Sequence, residues 1–167
     1  MPPEPANPAT SDSSELRRAM GSFATGITVV TCCDAKGRPC GITANSFSSV
    51  SLEPPLVLWN IARASNSLEA FLNADQFVIN VLAEHQRAVA QHFAQSDHQL
   101  FDQIDFEPGP AGTPLLPETL GRFECSTHHI YEGGDHYIIV GKVNNYRYAS
   151  GAPLLFYGGR YAALAKT

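Results

Sequence analysis

The chain has 167 residues, 44% of them hydrophobic, which suffices for one domain with a buried core and room for an interior ligand pocket. Its formal net charge is −5 and no Lys/Arg cluster exceeds the pair Arg17–Arg18, which argues against nucleic-acid binding, since that requires a basic face. Apolar runs such as Phe77–Leu82 and Tyr137–Val140 are far too short to cross a bilayer, and no charged-then-apolar leader opens the chain, so a cytoplasmic protein off the membrane is expected.

Residues 1–12, MPPEPANPATSD, are rich in proline and read as a disordered tail ahead of a single domain over 13–167. Asp12-x-x-Glu15 has the spacing of a capping box, and Leu16, Met20 and Phe23 then recur at helical spacing, with Gly26 as the stop. Ile27–Cys33 is β-branched and predicts a strand; Asp34–Gly37 is a turn, and Pro39–Ala44 returns as the partner strand. After a polar loop and Pro54-Pro55, Leu56–Ile61 reads as a buried strand. Ser65 or Asn66 can cap a short helix carrying Leu68, Phe71 and Leu72. Gln76–Leu82 is another strand, and Glu84–Gln95 has a helical pattern with Val89 and Phe93 inward.

A loop over Pro108–Pro117 precedes two segments, Gly121–Tyr131 and His136–Tyr148, that face each other across Glu132-Gly133-Gly134-Asp135 as a β-hairpin. The C-terminal LLFYGGRYAAL adds one short strand and a Gly-Gly turn. The expectation is therefore a mainly β (α+β) protein of six or seven strands with three short helices. Turns rather than helical crossovers join the strands, which favours an antiparallel β-barrel over a doubly wound parallel sheet.

The segment Gly41–Pro55 gathers Thr43, Asn45, Ser46, Ser48, Ser49 and Ser51 with a single charge, Glu53. Small donors and acceptors in that density suit a polar, planar, heteroatom-rich ligand; an ordinary polar surface loop has the same composition. Ser65-Asn66-Ser67 stands at a predicted helix start after a buried strand, either as a plain N-cap or as a phosphate site. Gly134-Asp135-His136 lies at the mouth of the hairpin, where His136 either donates to a substrate under the influence of Asp135 or is a strand-edge residue beside a turn.

Much chemistry is missing. The sequence has no GxGxxG after a strand, no Walker-type loop, no HExxH and no GxSxG. Cys32, Cys33, Cys40 and Cys125 have no metal-ligand spacing and read as packed free thiols. Of the six histidines, His128 and His129 are adjacent, so a regular strand would turn them to opposite faces and away from a shared metal.

Taken in order, FATGITVVT (Phe23–Thr31), GITANSFSSVSLEPPLV (Gly41–Val57), FVINVL (Phe77–Leu82), GDHYIIVG (Gly134–Gly141) and PLLFYGGRY (Pro153–Tyr161) resemble the short-chain flavin reductases, the reductase components of two-component flavin monooxygenases. The resemblance implies a split β-barrel of the FMN-binding type, a homodimer, and FMN or FAD as the flavin. It further implies hydride transfer from NADH or NADPH, with reduced flavin passed to a separate oxygenase. By position, Thr43, Ala44, Asn45 and Ser46 would line the isoalloxazine ring, with Ser49, Val50 and Ser51 close by. Asn60, Ile61 and Ala62 would follow the ribityl chain, and Ser65 and Ser67 would meet the phosphate. His136 would face the nicotinamide site, bordered by Tyr157, Arg160 and Tyr161.

The chain departs from its relatives in three places. His92 stands where they carry a basic residue before a Phe-Ala pair, no basic residue occupies Ala64, and Trp59-Asn60 replaces apolar or Cys residues. A non-catalytic flavin-binding protein and an oxidase that retains FMN are the alternatives within related split barrels.

Overall fold

The computed structural model describes residues 12–95 and 100–165, so the proline-rich tail lies, except for Asp12, outside the described residues. The elements run α1 (Ser13–Met20), β1 (Thr25–Gly26), β2 (Thr28–Cys33), β3 (Pro39–Ala44), β4 (Ser48–Leu52), β5 (Pro55–Ala62), α2 (Leu68–Asn73) and β6 (Gln76–Val81). A 3₁₀ turn (Glu84–Gln86) leads into α3 (Arg87–Phe93), followed by β7 (Glu107–Pro108), β8 (Pro114–Leu115), β9 (Gly121–Gly133), β10 (His136–Tyr148), β11 (Leu155–Tyr157) and β12 (Arg160–Ala162).

Seven strands form one antiparallel sheet in the order β3-β2-β6-β9-β10-β5-β4. Three more, β1-β11-β12, form a small separate sheet, and β7 pairs with β8. The expected antiparallel, mainly β architecture with a few short helices is what the chain adopts. Among the described residues no ladder joins β3 to β4, so the large sheet is open at those two edges.

Alternation along the strands builds two apolar clusters. On β2, Val30 and Cys32 enter one cluster, while Val29, with Ile27 just ahead of the strand, enters the other, so both faces of this strand are covered. The first cluster collects Val57, Trp59 and Ile61 of β5, Phe77 and Ile79 of β6, Ile139 of β10 and Phe71 of α2. Trp59 anchors it, edge-on to Phe71 at 4.9 Å and tilted against Phe77 at 6.1 Å; burial of each such side chain contributes about 1.5–3 kcal/mol. The second cluster seats α3 through Ala90 and Phe93. Buried Asn80 on β6 joins the layers, donating to the Val29 carbonyl (3.0 Å) and accepting from the Leu116 amide (3.1 Å).

Several local expectations change. The first helix stops at Gly21, whose N–H donates to the Arg17 carbonyl, because Gly26 is drawn into β1. Asp12 is the N-cap as expected, its carboxylate accepting from the amide and hydroxyl of Ser14, while no bond from the Glu15 side chain closes a capping box among the described residues. The helical apolar stripe is not covered by the described residues: Leu16, Met20 and Phe23 are 41%, 65% and 77% exposed, and Phe23 lies beyond the helix. The polar loop after β3 contains β4, an edge strand bulged at Val50, since an exposed edge needs backbone pairing and no apolar face.

The Pro108–Pro117 loop holds the β7–β8 pair, and the C-terminus makes two strands around Gly158-Gly159 (φ 57° and 77°). The segment from Glu84 opens as 3₁₀ before α3, with Gln86 accepting from the Ala83 amide at 3.0 Å. His128 and His129 do not diverge: a bulge between Val140 and Gly141 breaks the register at His128 and leaves the two rings edge-to-face at 4.4 Å. No group of three metal-ligating side chains forms among the described residues, and no helix is long and apolar enough to cross a membrane.

Close packing of β10 against β6 depends on Gly141, where a Cβ would stand 2.5 Å from Phe77 Cζ and 3.0 Å from Cys125 Cβ. Gly141→Ala is expected to lower the stability read by urea denaturation by about 1–3 kcal/mol through overpacking. An unchanged midpoint would show that the cluster yields there.

Candidate functional site

The polar end of β3, the turn between β5 and α2, and the end of α3 meet around a groove of about 300 Å³. Thr43, Ala62, Ser65 and Ser67 all line it, together with Phe93 and Gln95. Each wall has a local cause. Thr43 donates its hydroxyl proton to the Ala90 carbonyl at 2.7 Å, fastening β3 to α3. Gly41, two residues earlier, allows Phe93 to approach: a Cβ there would lie 2.7 Å from Phe93 Cε1.

Ser46 carries out a structural task. Its oxygen accepts from the Asn60 amide (2.9 Å) and its hydroxyl donates to the Asn60 carbonyl (3.3 Å), taking the place of a ladder rung before the β4–β5 pairing begins at Ser48–Leu58. Asn45 is exposed, and Ala44 ends β3 opposite Thr28. From Ser46 the strand β4 runs back along β5; Ser49 pairs with Val57, three residues before Asn60 and so about 10 Å along the strand. Ser49, Val50 and Ser51 therefore extend away from the groove along the exposed edge.

Along β5 the side chains alternate. Trp59 and Ile61 point into the core at 0% and 1% exposure, while Asn60 and Ala62 face the other way. Ile61 can thus meet a ligand only through its backbone. The Asn60 Oδ1 atom is buried and has no hydrogen-bond partner. Leaving such an acceptor unpaired costs about 1–3 kcal/mol, so a donor from a bound molecule would be stabilising there.

Ser67, not Ser65 or Asn66, holds the N-cap position of α2, and its side chain makes no capping bond. The Ser65 amide donates to the Ala62 carbonyl (3.0 Å), and the Ser67 amide donates to Ser65 Oγ (3.2 Å). These two amides are spent within the turn, so the anion capacity here lies chiefly in the hydroxyls. His92 stands half-buried on the last turn of α3, edge-on to groove-lining Phe93 at 5.3 Å. A second groove of about 380 Å³ shares Gly41, Asn66 and Ser67 with the first and continues past Lys36, Arg38 and Phe101. A larger cavity, about 750 Å³, lies elsewhere, beside the contact of His85 Nε2 with Glu118 Oε2 (3.1 Å), and holds none of the site residues expected from the sequence.

The β5–β10 ladder brings His136 to this region, since its Cα partner is Ala62, a groove residue. His136 Nδ1 lies 2.7 Å from Asp135 Oδ1, and this hydrogen bond holds the Asp135 carboxyl below its usual range, with a smaller contribution from Arg17 on α1. The small sheet approaches from the α1 side. The Gly158 amide donates to the Gly21 carbonyl at 2.9 Å, which ties the small sheet carrying Tyr157, Arg160 and Tyr161 to the end of α1, and none of the three lines the groove. Tyr161 packs on Phe156 and takes the Arg87 guanidinium over its ring at 5.3 Å.

Sequence reasoning missed Arg63, which follows β5 and binds the β9–β10 turn; a cation at a strand-to-helix turn was the available signal. None of the four cysteines lines the groove of Thr43, and the Cys40 thiol is held below its usual range by its hydrogen bond to Cys32. Burial pushes Cys125 up to about 12, and Cys32 is raised by its hydrogen bond to Cys40 and by burial.

Comparison with known proteins accords with this geometry. The flavin reductase like domain family matches residues 20–165. The FMN reductase (NADH) SmoA of Agrobacterium fabrum is 42% identical over 95% of this chain and 90% of its own. The reductase component of the flavin-dependent trigonelline monooxygenase of Acinetobacter baylyi is 44% identical over 92% of this chain, which spans 49% of that longer protein. The NADH:FAD oxidoreductase SgcE6 of Streptomyces globisporus C-1027 superposes with a TM-score of 0.91 at 38% identity, covering 99% of both chains. With its antiparallel sheet, its polar groove and this match over nearly its whole described length, the chain belongs to the flavin reductase family.

Proposed function

We propose that the chain is an NADH-dependent flavin reductase that passes reduced FMN or FAD to a separate oxygenase. The observation that carries this reading is a groove lined by Thr43 at the end of β3 and by the Ser65–Ser67 turn, with His136 of β10 paired in the ladder with groove-lining Ala62. NADH is favoured over NADPH because the names of SmoA and SgcE6 specify it. The trigonelline relative is a reductase component, which supports a partner oxygenase.

The residues fit a flavin mononucleotide. The unpaired Asn60 acceptor, the uncapping Ser67 hydroxyl and the groove of about 300 Å³ supply an acceptor, a donor and space. Thr43, Ala44, Asn45 and Ser46 hold the ring edge, with Ser49, Val50 and Ser51 along the adjoining strand. Asn60, Ala62 and the Ile61 backbone follow the ribityl chain. Ser65 and Ser67 donate to the phosphate, and His92 stands at the α3 end where a cation would assist. When bound there, flavin would supply the redox chemistry as the acceptor of a nicotinamide hydride.

The protein's part is to bind, align and dry the reacting faces, which requires no side-chain nucleophile. His136 orients the nicotinamide carboxamide, its ring direction set by the Asp135 carboxylate, and Tyr157, Arg160 and Tyr161 border that site. A homodimer completes the assembly. The exposed Met20, Phe23, Val50, Leu52 and Tyr148 supply apolar surface for a second copy, and sedimentation should report twice the 18.0 kDa chain mass.

Anaerobic addition of NADH to protein with FMN is expected to bleach the flavin's visible absorbance, with steady NADH consumption in air when free flavin is the only other substrate; persistence of the oxidised spectrum would overturn the assignment. The two subsites should separate by mutation. Ser65→Ala with Ser67→Ala should weaken FMN by about 1–3 kcal/mol through lost donors. His136→Ala should raise the KM for NADH while leaving the FMN titration within about twofold. Identical titrations for the wild type and the double serine variant would remove the phosphate assignment.

A further inference from the structure

We propose that Arg63 is a positioning residue for the nicotinamide step: it clamps the Gly134–Asp135 turn and thereby fixes where His136 stands. The proposal rests on the His136 reading above and adds the residue through which that histidine is held. Arg63 is the first residue after β5, and His136 is the first residue of β10, opposite Ala62. Both carbonyls immediately before His136 are tied to this one arginine. The Arg63 amide donates to the Asp135 carbonyl at 2.9 Å, and Arg63 Nε donates to the Gly134 carbonyl at 2.8 Å.

The rest of the guanidinium holds the residues that flank the turn. Arg63 Nη1 donates to the Tyr137 hydroxyl at 2.9 Å, the Arg63 Cζ atom lies 4.3 Å from the Tyr137 ring centroid, and Nη2 stands 3.4 Å from Glu132 Oε1. Four residues of one hairpin tip, Glu132, Gly134, Asp135 and Tyr137, thus converge on a single side chain and its amide.

Gly134 makes this clamp consequential. It sits at φ +70°, with nothing within 4 Å of where a Cβ would be, so Gly134 itself has no neighbour on that side and the Arg63 bonds supply the fixed contacts of the tip. Arg63 is not among the residues lining the groove of Thr43 and Ser67, which argues for action through the turn instead of contact with flavin. A planar fork with several directed donors suits this task, and a lysine ammonium cannot reproduce it.

The test is a double-mutant cycle on steady-state kinetics, with FMN titration and thermal melting as controls for folding. Arg63→Ala is expected to raise the KM for NADH about tenfold, the scale of a lost positioning contact, with FMN affinity within about twofold. Arg63→Lys, which keeps the charge, should recover only part of that loss and serves if the alanine variant folds poorly. Because the arginine acts through the histidine, Arg63→Ala should add nothing to the KM of His136→Ala. Additive effects, or an Arg63→Ala KM within about twofold of wild type while His136→Ala is impaired, would overturn the clamp and leave the function standing. An unimpaired His136→Ala enzyme would instead remove the histidine reading itself, and the clamp with it.

Discussion

The β5–β10 ladder sets the geometry on which the site depends. Its register runs from His136–Ala62 to Lys142–Leu56, and the backbone bond from Arg63 to Asp135 continues it into the turn. Side chains on a strand alternate, so a slip of one residue would turn Trp59 to the outer face and Asn60 into the core. The buried Trp59, packed on Phe71 and Phe77, makes such a slip costly. The same aromatic anchor that stabilises the domain therefore determines that Asn60 and Ala62 face outward and that His136 arrives beside Ala62.

The polar residues around the groove divide into those already committed and those left over. Thr43 and Ser46 spend hydroxyl protons on the Ala90 and Asn60 carbonyls, fastening β3 to α3 and the pre-β4 loop to β5. Asn60 Oδ1 is left without a partner, and Ser67 stands at a helix start without capping it. A folding domain gains by pairing such groups, so under the proposed function these two on β5 and at the α2 start are the ones a bound flavin would satisfy. The amides of Ser65 and Ser67 are spent within the turn, so the phosphate contact proposed there would rest on hydroxyl donors and not on the terminus of the six-residue helix.

Much of this was legible before any coordinates. The β-branched run at Ile27–Cys33, the Gly-Gly-Asp turn before His136 and the serine-rich stretch before Pro54-Pro55 identified paired strands, a long hairpin and a polar strip in the right order. Other features were not legible, for physical reasons. β4 has no apolar period because it is an exposed edge that needs only backbone partners. Gly26 looked like a helix stop, yet pairing of β1 with β11 claims it, and that partner lies far along the chain. The bulge at His128 brings together two rings that a regular strand would separate, and bulges carry no local composition.

The division follows from range. Short-range periodicity and turn chemistry in the sequence determined the kinds of elements, the antiparallel class and the candidate polar strip, because those preferences act within a few residues. The partner of each strand, its register and the contacts of Arg63 across the β9–β10 tip were decided only by the tertiary structure. These depend on residues about seventy positions apart, such as Arg63 and Gly134, and on which buried side chain, here Trp59, has to be accommodated first.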